Sequence, residues 1–91
     1  MFYVISYDIP DDKRRLKISK TLKNFGERVQ YSVFEANLTE PQFQKLVFRL
    51  EKLLNEKEDR LRIYSLCEAC VKKVQVKGQG ELTEDEDVYV V

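Results

Sequence analysis

Residues 28–38, Arg-Val-Gln-Tyr-Ser-Val-Phe-Glu-Ala-Asn-Leu, lie between two helical stretches and alternate apolar with polar side chains. A period of two is that of a half-buried strand, and the spacing predicts one long strand with Val29, Tyr31 and Val33 on one face. Upstream, residues 2–7 (FYVISY) are β-branched and aromatic, a short buried strand that Asp8 and Pro10 end. Asp11 and Asp12 then stand where a helix N-terminus favours acids, and Leu16, Leu22 and Phe25 form an apolar stripe that Gly26 stops. Downstream, Thr39 and Gln42 have capping-box spacing, with Pro41 tolerated in the first turn. Phe43, Leu46, Val47, Leu50, Leu53 and Leu54 follow at the helical period. Residues 60–66 (RLRIYSL) read as a third strand and 71–77 (VKKVQVK) as a fourth, with Glu68–Ala69 a tight connection between them. Four strands and two helices fit the α+β class, in the ferredoxin-like βαββαβ sandwich.

A chain of 91 residues accommodates one domain. Residues 1–77 are expected to form it, and 78–91 an acidic linker followed by a short apolar strand, Val88 to Val91 (VYVV). That strand has no place in its own four-stranded sheet; adding it to the edge of a partner subunit's sheet would satisfy its backbone groups. A thin core also favours self-association, so a homodimer is expected. The formal net charge of zero hides an asymmetry: residues 1–77 hold sixteen basic and eleven acidic side chains, a net +5, and the remaining five acids give the tail −5. A dimer would carry +10 on its body, enough to attract a polyanion; ordinary solvating charge accounts for the same count. No stretch approaches the roughly 20 apolar residues of a membrane helix, and MFYVISYD has neither the basic leader nor the cleavage site of a signal peptide. Two cysteines are too few for a secreted disulfide scaffold, so a cytoplasmic protein without a membrane partner is expected.

With no histidine, Ser–His and Cys–His nucleophiles and histidine metal ligands are excluded, and no glycine-rich phosphate loop occurs. Asp8 is the sharpest candidate for chemistry, because it ends a strand beside Tyr7, where a sheet presents side chains to a cleft; Asp-Ile-Pro-Asp-Asp is equally a good turn sequence. One carboxylate makes a poor magnesium site, but two Asp8 side chains meeting at a two-fold axis would supply a pair. Lys13, Arg14, Arg15, Lys17, Lys20 and Lys23 put six bases and no acid into residues 13–25, and Arg28 follows; such crowding points to nucleic-acid phosphates. Cys67 and Cys70 have the spacing of half a zinc site or a redox pair, or are two small residues packed at a turn.

Tyr7-Asp8-Ile9 closing the first strand, a basic helix, and then Arg28-Val29-Gln30-Tyr31-Ser32-Val33-Phe34 resemble the small CRISPR-associated endonuclease family of the spacer-acquisition module. The resemblance spans the chain, though the last third matches in layout more than in residues. It implies a ferredoxin-like homodimer whose C-terminal strand crosses to the partner, and a catalytic Asp8 that binds a divalent metal, usually Mg2+, with its twin. It also implies nucleic-acid contacts at Tyr7, Arg15, Arg28, Ser32 and Phe34, to which the basic cluster adds Arg14. Lys17 stands where some members have arginine and lacks the planar two-pronged phosphate grip. Two functions follow: a metal-dependent endonuclease acting on RNA, double-stranded DNA or both, or a non-catalytic DNA-binding scaffold for the CRISPR integrase subunit.

Overall fold

The computed structural model describes residues 1–78 and 80. Its elements run β1 (Phe2–Asp8), α1 (Asp12–Lys23), β2 (Glu27–Gln30), β3 (Val33–Asn37), α2 (Glu40–Leu53), β4 (Arg60–Leu66) and the single turn α3 (Glu68–Val71). The four strands form one sheet in the order β2-β3-β1-β4. Strand pairing is antiparallel throughout. Two helices on one face of such a sheet make the ferredoxin-like α+β sandwich that the sequence led us to expect.

Two strands are distributed differently from the sequence reading. Residues 28–38 do not form one long strand: the chain reverses at Tyr31–Ser32, so β2 and β3 are a hairpin with an irregular register between Arg28 and Gln30. Residues 71–77 are not a strand; Val71 closes α3, and 72–77 pair with no other segment described. The hairpin supplies the fourth strand in place of 71–77. It also produces the order βαββαβ, which a single strand between the helices could not. The expected strand at Val88–Val91 lies outside the described residues.

Each helix starts where its capping residues dictate. The Asp11 side chain accepts from the Arg14 backbone N–H at 2.8 Å. Thr39 and Gln42 form the reciprocal capping box, at 3.4 and 2.9 Å. Alternation in β1 turns Tyr3, Ile5 and Tyr7 toward the helices, where they are buried with Phe34, Ala36, Ile18, Leu22, Leu46 and Leu50. Leu16, expected in the buried stripe, is 55 % exposed; Ile18 takes its place, one helical turn before Leu22, which is buried as expected. Tyr3 stacks on Phe43 with ring centroids 4.2 Å apart, tying α2 to β1. Reciprocal bonds between Met1 and Leu38 extend the β1–β3 ladder to the first residue. Among the described residues no helix is long and apolar enough to cross a membrane.

Candidate functional site

β1 is a central strand, and its C-terminal end is the point where several elements converge. Pairing with β4 continues to the last residue, setting Asp8 opposite Arg60. Pairing with β3 stops at Ser6–Val33. Beyond it the β2–β3 turn borders the strand end, where the Ser32 carbonyl accepts from the Tyr7 backbone N–H at 3.1 Å. Alternation puts Val4, Ser6 and Asp8 on the helix-free face of the sheet. Asp8 is exposed, and among the described residues its carboxylate has no hydrogen-bond or ion-pair partner.

The three candidate arginines are held in different ways. Arg15 donates to the Ile9 carbonyl at 2.8 Å and to the Asp12 carboxylate, strapping the turn between β1 and α1. The Asp12 hydrogen bond is the main cause that raises the Arg15 pKa, and Tyr7 and Tyr31 lie within its electrostatic reach. Arg14 points the other way: its Nε and Nη2 donate to both oxygens of Asp59, at 2.6 and 2.9 Å, and Nη2 also reaches Glu58 at 3.0 Å. That bidentate fork raises the Arg14 pKa and holds the Asp59 carboxyl below the usual carboxylate range. Arg28 is exposed, donates to the Ser19 hydroxyl and sits over the Phe34 ring, 5.5 Å from its centroid.

The residues expected at a nucleic-acid surface divide between core and surface. Phe34 is wholly buried and Tyr7 is 5 % exposed; their rings lie 6.3 Å apart, packed in the core beneath the site. Both were expected to touch nucleic acid; their side chains lie in the core, and Phe34 carries Arg28 on its ring. Arg14, expected at the same surface, is 20 % exposed, and its fork clamps α1 to the loop before β4. Arg28 remains at the surface, Ser32 is half-buried, and Arg15 is a third exposed at the turn it straps. Sequence reading missed Arg60 and Tyr31. Arg60 borders Asp8 only through strand register, and Tyr31 is 80 % exposed at a turn read as strand.

The donors at the strand end suit a hard cation but do not complete its shell. Asp8 offers exposed carboxylate oxygens, whereas Asp11 caps α1 and Asp12 pairs with Arg15. Among the described residues no three His, Cys, Asp or Glu side chains cluster as metal ligands. Mg2+ takes oxygen ligands in an octahedron and commonly uses one or two carboxylates with phosphates and waters. One Asp8 therefore fits as half of such a donor set.

Comparison with known proteins resolves the family. The family model described as "CRISPR associated protein Cas2" matches residues 1–74. The chain belongs to the Cas2 family. Across its whole length it is 46 % identical to a relative from Chloroflexus aurantiacus named CRISPR-associated endoribonuclease Cas2 1, all of which is covered. The crystal structure of Streptococcus pyogenes Cas2 superposes with a TM-score of 0.74 at 31 % identity, covering 86 % of this chain and all of that one. A chain of a structure titled "Partial Cas6-RT-Cas1--Cas2 complex" matches with a TM-score of 0.72 at 30 % identity, covering 84 % of this chain and 83 % of that one. Cas2 membership agrees with the Tyr7-Asp8-Ile9 and Arg28-to-Phe34 motifs from which the resemblance was read.

Proposed function

We propose that this Cas2-family chain is a metal-dependent endonuclease of the CRISPR spacer-acquisition machinery, acting in the cytoplasm as a homodimer on RNA, DNA or both. The observation that carries the proposal is Asp8: an exposed, unpartnered carboxylate at the end of a central strand, with Arg60 opposite it in the ladder. An acid left without a partner beside a cation is more useful to a ligand than to the fold. The Chloroflexus relative's endoribonuclease name supports the same chemistry.

Because one chain supplies half of a metal donor set, the second carboxylate is assigned to Asp8 of a second copy. The helix-free face carries Val4 and Val33, both half-buried, and the exposed Tyr64, an apolar surface on which a second sheet can pack. Residues 1–77 would form the body of each protomer, and 78–91 the linker and strand that cross to the partner. When bound, Mg2+ would supply Lewis acidity and positive charge at the scissile phosphate. Asp8 holds that charge in place, Arg28 and Arg60 attract the backbone, and Arg15 fixes the turn that aims Asp8. Tyr7 and Phe34 keep water from the floor of the site.

A second reading, a DNA-binding scaffold beside an integrase subunit, is favoured by the Cas1–Cas2 complex among the neighbours. The two readings separate in one assay. Wild type and Asp8→Ala, each verified as dimers, are incubated with single-stranded RNA and with duplex DNA, with and without Mg2+. Cleavage that requires both Mg2+ and Asp8 is the expected result. Tight binding without cleavage of either polymer would leave the scaffold.

A further inference from the structure

Cys67 and Cys70 are the only cysteines of the chain, and both are exposed free thiols. Exposure removes the reading in which they are small residues packed at a turn. Cys67 precedes α3 and Cys70 lies within it, and the Val71 N–H donates to the Cys67 carbonyl at 3.0 Å, closing a helical turn. Positions three apart on such a turn are neighbours, with Cα atoms about 5 Å apart, inside the span of a disulfide. A zinc site would need two further ligands, and no three metal-binding side chains cluster among the described residues.

We propose that Cys67 and Cys70 form a reversible dithiol–disulfide pair, a thiol–disulfide exchange site that cross-links the helical turn leaving edge strand β4. The roles of the two sulfurs differ. The Cys70 backbone, and after it the Cys70 thiol, lower the Cys67 pKa against the opposing effect of burial. The neighbouring Cys67 sulfur pushes the Cys70 thiol up. Cys67 is thus the attacking thiolate and Cys70 the resolving thiol. With a small-molecule disulfide such as glutathione disulfide as oxidant, the Cys67 thiolate displaces one glutathione thiolate and forms a mixed disulfide. Cys70 then loses its proton and attacks the Cys67 sulfur, releasing the second glutathione. The pair gives up two electrons and two protons, and the oxidant leaves as two thiols.

The test is independent of the nuclease reading. The full chain is incubated with glutathione disulfide, quenched in acid, alkylated and weighed intact. Wild type is expected to lose both thiols within one chain, retain no glutathione, and recover both on reduction with dithiothreitol. Cys70→Ser is expected to stop at a glutathione adduct on Cys67. Cys67→Ser is expected to react at Cys70 at least about tenfold more slowly. Both substitutions are at exposed positions, so the fold should be retained; far-UV circular dichroism checks this. Wild type that keeps a glutathione adduct, cross-links chain to chain, or is protected from alkylation by tightly held zinc would overturn the proposal.

Discussion

Replacing Gly26 by alanine perturbs the fold at the point where it supports the site. Gly26 follows α1 and enters β2, and a Cβ there would lie 2.2 Å from the Glu35 carbonyl oxygen and 2.7 Å from the Ala36 Cβ. Comfortable carbon contacts begin near about 3.5 Å, so the shortfall is about 1 Å, and the obstacle is strand backbone rather than a side chain that can swing away. Overpacking of this kind costs about 1–3 kcal/mol. In a domain of this size about 1 kcal/mol lowers Tm by about 4–8 °C, so a drop of about 5–20 °C is expected. β3 must move to relieve the clash, and Phe34, next to Glu35, carries Arg28 on its ring. Thermal unfolding by circular dichroism at a fixed protein concentration is the assay, since the proposed dimerisation would make Tm concentration-dependent. A Gly26→Ala protein melting within about 1 °C of wild type would refute the close-approach argument.

The clamp between Arg14 and Asp59 should be visible in acid. The Arg14 hydrogen bonds hold Asp59 below its ordinary value, so the stabilisation is complete above about pH 4 and is lost as pH falls through the lowered folded-state value. Urea midpoints of wild type and Asp59→Asn should therefore differ at neutral pH and converge on acidification; a gap that persists unchanged at the lowest pH would contradict this origin. Arg28→Gln should weaken nucleic-acid binding alike across sequences and reduce the salt dependence by about one phosphate contact. Fluorescence anisotropy over a range of salt measures this, and an unchanged slope removes Arg28 from the interface.

The parts of the fold legible in the sequence are those where one local signal dominates. β1 is a compact β-branched and aromatic run, and α2 combines a capping box with an apolar period, so both appear where expected. The hairpin was not legible because Tyr31–Ser32 has no glycine, proline or asparagine to mark the turn, and alternation carries across it. Residues 73–77 alternate as a strand should, yet alternation supplies no partner, and pairing decides the matter. At the site, Asp8 was visible from its place at a strand end. The basic helix was visible as charge, but the acids that engage Arg14 lie 44 and 45 residues away in sequence, and composition cannot show such distant contacts. Burial of Phe34 beneath Arg28 depends on which face of β3 meets the helices, and that face follows from the hairpin register.

Counting divalent ions bound per chain is the most direct check that each copy carries half of a metal site. Mn2+, a spectroscopic substitute for Mg2+, can be titrated into the purified protein and the free ion followed by electron paramagnetic resonance. One strongly bound ion for every two chains, lost in Asp8→Asn while the dimer persists, is the expected outcome. One ion per chain, or binding that survives Asp8→Asn, would contradict a site shared through Asp8.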